Sequence, residues 1–304
     1  MNEDKPMPKI SVLLNNYNYG CFVGEAIRSV LDQDFRDFEL IAVDDGSSDD
    51  SRDIIGSFED DRIKTVFKAN GGQLSAFNTG VLESRGEILC FLDSDDTYRP
   101  GYLRAVSEYY GRNPDCGCLL GRVEYFGRRT GFDKTLYDEG PLGADPFAVI
   151  ADYRWTGTPT SAYSIRREFA AKFLPYCEGE KFWKVRADDL LVWGAELSGA
   201  IKYSMPEPIV RYRVHGNNSF FNVAVETTEQ ERRERLNAAD AFFKWVMRKN
   251  GITASDLLRM ENRTGTLPNR ERFRNWYKIG RQRRIGPVRW LLCGLFLLVK
   301  CTRD

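Results

Sequence analysis

Four short apolar segments, at residues 10–14, 38–43, 63–67 and 87–92, alternate with stretches of helical periodicity over the first hundred residues. Each segment is too short for a helix and apolar enough for a strand buried on both faces. Between the first two, Phe22, Ala26, Ile27, Val30 and Leu31 recur at helical spacing, and residues 51–58 and 75–83 supply two further helices. Strand–helix alternation of this kind predicts a largely parallel sheet with crossover helices, an α/β fold. In such sheets, ligands bind in the crevice outside the carboxyl ends of the strands. The strand ends here are acidic: Asp44 and Asp45 follow the second segment, and Asp93, Ser94, Asp95 and Asp96 follow the fourth.

The second half is less regular. Strands are expected at 118–126, 161–165, 201–205 and 209–214, the last two separated by Pro-Glu-Pro, with helices at 146–152 and 188–198. From residue 227 the chain turns to long, charged helical stretches, which places a boundary near 222: residues 1–222 form the main domain and 223–304 a helical extension.

Composition narrows the function. With 44 basic and 44 acidic residues among 304, the chain is not basic along its length, and a nucleic-acid partner is not expected. The balance conceals a polarity. Residues 261–304 hold 11 Lys/Arg against 3 Asp/Glu, a surplus of +8, which leaves −8 for residues 1–260. The seven cysteines include no CxxC pair, so neither a disulfide framework nor a zinc ribbon is expected. The polar start predicts no secretory signal and hence a cytoplasmic protein. Near the end, Arg281, Arg283, Arg284 and Arg289 lead into the apolar run 290–299. Ten residues fall short of the roughly 20 that span a bilayer. The segment 281–303 is instead expected to lie on an anionic membrane face or to dock on protein.

Paired carboxylates at strand ends hold a divalent cation or hydrogen-bond a nucleoside, although Ser and Asp in these places also cap helices. The glycine loop at 70–72 opens a helix and offers free backbone N–H groups to an anion. Asp188 and Asp189 open an apolar helix. Two adjacent carboxylates in a low-dielectric site push one pKa up toward that of a general base. His215, the one histidine of the chain, follows a strand and precedes a Gly/Asn loop. A neutral imidazole there suits a metal or a phosphate.

In order and spacing, the segments SVLLNNYNYG (11–20), VDDGSSDD (43–50), NGGQLSAFNTG (70–80), FLDSDDTY (91–98), the Asp188–Asp189 pair and PEPIVRYRVH (206–215) make the chain resemble the inverting nucleotide-sugar glycosyltransferases of family 2. The resemblance spans about residues 8–220 and implies the GT-A fold, a nucleotide-diphospho-sugar donor, UDP being the commonest, and Mn²⁺ or Mg²⁺. It implies that Asn16, Tyr17, Asp44, Asp45, Gly72 and Asn78 line the nucleotide-sugar pocket together with Asp93, Ser94 and Asp95. Asp93, Asp95 and His215 would hold the metal. Asp189 would take the acceptor proton, with Asp188 standing where the family usually has Glu. The acceptor would be a saccharide or a lipid-linked glycan in surface polysaccharide assembly, with Trp155, Trp183 and residues 156–161 candidates to line its site. Two alternatives are a phosphohydrolase of the haloacid-dehalogenase type, in which Asp93 attacks phosphate, and a non-catalytic nucleotide-sugar-binding protein.

Overall fold

The computed structural model describes residues 6–133, 137–216, 218 and 228–281. The four N-terminal segments form strands β1 (Ile10–Asn16), β2 (Phe38–Asp44), β3 (Ile63–Phe67) and β4 (Ile88–Asp93), all parallel, in the order β3-β2-β1-β4. Helices α1 (Gly20–Leu31), α2 (Ser51–Gly56) and α3 (Gln73–Glu83) make the crossovers. Alternation along each strand divides its side chains between two cores. Ile10, Val12 and Leu14 of β1 join Val23, Ile27 and Val30 of α1 on one face. Leu13, Ile41 and Val43 join Leu74 and Phe77 of α3 on the other. Because both faces are covered, these strands read as continuous apolar runs.

The sheet continues through β5 (Thr97–Tyr98), helix α4 (Tyr102–Arg112), β6 (Cys116–Gly127), β7 (Gly131–Phe132), β8 (Gly140–Gly143), helix α5 (Pro146–Asp152), β9 (Tyr163–Arg166) and the short α6 (Arg167–Ala170). Helix α7 (Asp188–Ser198) and strand β10 (Ile201–Val214) complete it. The full order is β3-β2-β1-β4-β9-β6-β10-β5, with β7 on β6 and β8 on β10. β9 runs antiparallel between β4 and β6, while β6 and β10 are parallel to one another. Two strands were expected on either side of Pro206 and Pro208; one continuous β10 forms, with register shifts against β6 between Met205 and Val210. Proline donates no ladder hydrogen bond, so the irregularity accommodates both prolines without ending the strand.

Helices α8 (Glu229–Lys249), α9 (Ala254–Thr264) and α10 (Asn269–Arg281) follow. Capping boxes start α8 (Thr228 with Glu231) and α9 (Thr253 with Asp256), satisfying N–H groups that the helix leaves unpaired. These helices share the apolar core of the sheet domain: Phe242, Phe243, Val246, Leu257 and Trp276 pack in one cluster with Phe147, Tyr176 and Trp193. Buried acids reinforce the joint. Glu261 of α9 accepts the Phe147 N–H of α5 (3.1 Å), and Glu196 of α7 accepts the Asp145 N–H (2.7 Å) while pairing with buried Lys202. No helix among the described residues is long and apolar enough to cross a membrane. The boundary expected at 222 and the tail from 282 onward lie outside the described residues.

Candidate active site

The order β2-β1-β4 brings three strand ends side by side, and their register pairs Asn16 with Asp44 and Asn15 with Asp93. Asn15 Nδ2 donates to Asp93 Oδ1 (2.7 Å), and Asn16 Nδ2 donates to Asp44 Oδ2 (3.0 Å). Two consecutive asparagines on the central strand thus reach the carboxylates on both sides of it. Asn15, which the sequence reading passed over, does for Asp93 what Asn16 does for Asp44.

Asp44, expected beside the nucleotide base, is held by protein partners at the end of β2. It is wholly buried, and its oxygens also accept from Arg52 Nε (2.9 Å) and Ser47 N (3.0 Å). Burial pushes its pKa up, but the Ser47, Arg52 and Asn16 hydrogen bonds outweigh this and hold the carboxyl below its ordinary value. It is a brace for the β2 turn. Asp45 anchors the glycine loop: Oδ2 accepts Gly72 N (2.7 Å), and Oδ1 accepts Gly71 N (3.0 Å) and Lys68 Nζ (2.5 Å). Gly72 has φ +90°, and a Cβ there would meet Lys184 Cα at 2.4 Å, so only glycine fits. The loop therefore packs directly under residues 183–184, whose carbonyls accept the first N–H groups of α3, from Gln73 (2.9 Å) and Leu74 (3.1 Å). α3 accordingly begins at Gln73, two residues before the start expected at 75.

Asn78 is the pocket residue expected on α3 itself. It is buried on α3 and faces the 176–180 segment, donating to Glu180 Oε1 (2.8 Å) and accepting from Tyr176 N (2.9 Å), away from the strand ends. Tyr17, by contrast, is half exposed just beyond the end of β1.

Around β4 the acids converge. Asp93 is pushed up to about 8 by burial and then by the neighbouring charges of Asp95 and Asp188. Asp95 Oδ2 lies 3.0 Å from His215 Nε2 and 3.4 Å from Asn218 Nδ2. The imidazole rests against the rings of Tyr19 and Phe22, with centroids 5.6 and 5.0 Å away. The strand-end turn and the close of β10 are joined by Asp96, which accepts Arg213 N (2.8 Å) and Ser161 Oγ (2.6 Å), and by Arg213 Nε, which donates to the Asp95 carbonyl (2.8 Å). Asp96 titrates well above the usual carboxylate range, through burial and then the charges of Asp95 and Asp93. Ser94 is buried within the same turn.

Among the described residues, no three His, Cys, Asp or Glu side chains form a ready-made metal cage. The donor set nevertheless fits a hard divalent cation, which takes one or two carboxylates and completes its shell with substrate phosphates and water. Mutually repelling, desolvated carboxylates beside an imidazole are a place where added positive charge is stabilising.

On the far side, Asp188 and Asp189 open α7. Asp188 is pushed up to about 6 by burial and by Asp189, with Arg186 opposing. Asp189 is also raised by burial, against the pull of Arg186 and Arg235, and its Oδ1 lies 3.6 Å from Arg186 Nη2. Gln73 holds this corner to the glycine loop: Oε1 accepts Ala187 N (2.8 Å), while Nε2 points back to Asp93 Oδ1 (3.5 Å). Asp189 borders a cavity of about 250 Å³ with Tyr153, Trp155, Trp193 and Arg235. Trp155 is among its lining residues, whereas Trp183 is buried, edge-on to Trp193 at 5.9 Å. No local motif marks Arg235, which arrives from α8.

Residues 11–173 match the family described as Glycosyl transferase family 2. The chain is 36% identical over 236 residues to an uncharacterised glycosyltransferase of Nostoc sp. (strain PCC 7120), covering 75% of this chain and 71% of the relative. It is 37% identical over 106 residues, about a third of each chain, to a GalNAc(5)-diNAcBac-PP-undecaprenol β-1,3-glucosyltransferase of Campylobacter jejuni. The crystal structure of S. aureus TarS residues 1–349 with UDP-GlcNAc superposes with a TM-score of 0.60 at 17% identity, over 90% of this chain and 80% of that one, and so shares its fold. With that fold, two parallel strand ends carrying acids on either side of β1 and a family match spanning them, the phosphohydrolase alternative falls away: the chain belongs to glycosyl transferase family 2 and is a glycosyltransferase of GT-A architecture.

Proposed function

We propose that the chain transfers a sugar, with inversion, from a UDP-sugar to an acceptor hydroxyl during assembly of a surface glycan. The observation that carries this reading is the joining of two groups through Gln73: Asp93, with Asp95 and His215, at the strand ends, and Asp188 and Asp189 at the start of α7, where Gln73 reaches Asp93 Oδ1 (3.5 Å) and accepts Ala187 N (2.8 Å). Inverting displacement needs these two functions on opposite sides of the anomeric carbon. One side receives the charge of the departing diphosphate; the other removes the acceptor proton.

Asp93, Asp95 and His215 would hold Mn²⁺ or Mg²⁺, which offsets diphosphate charge as the sugar leaves. Asn15 and Gln73 orient Asp93, and Asn218 and His215 orient Asp95. The glycine loop, fixed by Asp45, sits between the strand ends and Asp188. Tyr17 remains at the rim for the nucleoside. Asp189 is the base: burial raises its proton affinity, and it borders the cavity open to an acceptor. The UDP and lipid-linked assignments draw support from TarS, crystallised with UDP-GlcNAc, and from the name of the C. jejuni relative. Residues 1–222 would be the transferase domain and 223–304 its extension. The basic and apolar tail, 281–303, would hold the enzyme peripherally on the cytoplasmic face of a membrane bearing such an acceptor.

Calorimetric titration of UDP into the protein tests the donor half of this reading. Binding is expected to be at least about tenfold tighter with Mn²⁺ than with EDTA, a difference of about 1.4 kcal/mol. Equal affinity in both, or no binding, contradicts it.

A further inference from the structure

The cavity beside Asp189 has a composition that a neutral sugar does not call for. Tyr153, Trp155 and Trp193 supply aromatic walls, and Arg186 and Arg235 face the single carboxylate of Asp189. Aromatic faces suit a sugar ring. Arg186 is drawn to both acids at the start of α7, Asp189 in the cavity wall and Asp188 beside it, so the cation left to a ligand is Arg235. Arg186 is engaged by Asp189 at 3.6 Å, whereas Arg235 has no hydrogen-bond or ion-pair partner for its guanidinium among the described residues. Burial, and then repulsion from Arg186, lower the pKa of Arg235, so its charge is held at a cost that an incoming anion would relieve.

The walls are held firmly. Tyr153 adopts a left-handed backbone, φ +54°, and its hydroxyl donates to Asp240 Oδ1 of α8 (2.8 Å). Arg186 is likewise left-handed at φ +61°. For Tyr153 this is the left-handed cap that ends α5, its N–H bonded to the Ala148 and Val149 carbonyls. The volume, about 250 Å³, suits one sugar residue rather than a chain. Arg186, Asp189 and Arg235 all lie beyond residues 11–173, the segment matched to the family.

We infer that this cavity is an acceptor subsite for a saccharide bearing a negative charge, a phosphate or a carboxylate, which Arg235 and Arg186 pair with while Trp155 and Tyr153 stack on the ring. The inference rests on the transferase reading of Asp189. The charge has two sources, an acidic sugar or the diphosphate of a carrier lipid, and both present the same anionic oxygens to a guanidinium.

Ligand-observed NMR titration of the full chain separates them. Three probes are compared at low salt: methyl β-D-glucoside, methyl β-D-glucuronide and N-acetylglucosamine linked through diphosphate to a citronellyl group. At least one charged probe is expected to bind about tenfold tighter than the glucoside, and Arg235→Gln is expected to cut that preference below about threefold. Preference for the glucuronide assigns the charge to the glycan, and preference for the citronellyl compound assigns it to the carrier. Equal binding of the glucoside, binding of no probe, a preference that survives Arg235→Gln, or displacement of the preferred probe by UDP overturns the inference. UDP binding to the same sample reports separately on the donor site, so loss of the transferase reading is distinguishable from loss of this one.

Discussion

Asp189→Asn is expected to lower the rate of sugar transfer by about 10³-fold, within the 10² to 10⁴ that a positioned general base contributes, while leaving UDP affinity within about threefold of wild type. The substitution keeps the shape of the side chain beside Arg186 and removes its ability to accept a proton. Asp188→Asn is the necessary comparison, because Asp188 is half-buried, raises the proton affinity of Asp93 and is itself held up to about 6. A pH profile adds a second reading. The base works only when deprotonated, and burial raises the proton affinity of both carboxyls. The wild-type rate should therefore climb with pH on the acid side, and residual transfer by Asp189→Asn should lose the part of that climb that belongs to Asp189. A mutant retaining more than about a tenth of the wild-type rate, or an Asp188→Asn that loses far more, would move the base assignment off Asp189.

Asp95→Asn should act on the other half of the reaction. It replaces the carboxylate facing His215 Nε2 at 3.0 Å by a neutral amide of the same size. The half-saturating Mn²⁺ concentration is expected to rise by about 10²-fold, with transfer at fixed low Mn²⁺ falling in proportion, since loss of even an outer-shell partner costs 10 to 100-fold. An unchanged Mn²⁺ requirement would remove Asp95 from the metal site. The two variants differ in a way that a folding defect would not reproduce: Asp189→Asn keeps the metal dependence, and Asp95→Asn can be restored by excess metal.

The parts of this account that were legible in the sequence are those governed by short-range pattern. Runs such as 10–14 and 38–43 could be assigned because strands buried on both faces carry no polar interruptions, and the acids at their ends followed from where each run stopped. The α7 acids were legible because an apolar helix begins immediately after them. What could not be read depends on partners far along the chain. That Asp44 and Asn78 are braces follows from Arg52, Glu180 and Tyr176 closing around them. The insertion of β9 antiparallel between β4 and β6 leaves no mark in its own four residues. Arg235 reaches the cavity from a helix 46 residues beyond Asp189, and nothing in its neighbourhood of charged helix distinguishes it. Asn15 had a signal of its own: two asparagines in succession end the central strand, in register with Asp93 on one neighbour and Asp44 on the other.

The most direct measurement is turnover on a panel of nucleotide sugars, following release of nucleoside diphosphate with Mn²⁺, Mg²⁺ or EDTA, since slow donor hydrolysis proceeds without the acceptor. Release from a UDP-sugar is expected to depend on the metal and to disappear with EDTA. Release that EDTA leaves untouched would contradict the role given to Asp93, Asp95 and His215. Metal-dependent binding of a donor with no release, even with charged saccharide acceptors added, would contradict catalysis at Asp189.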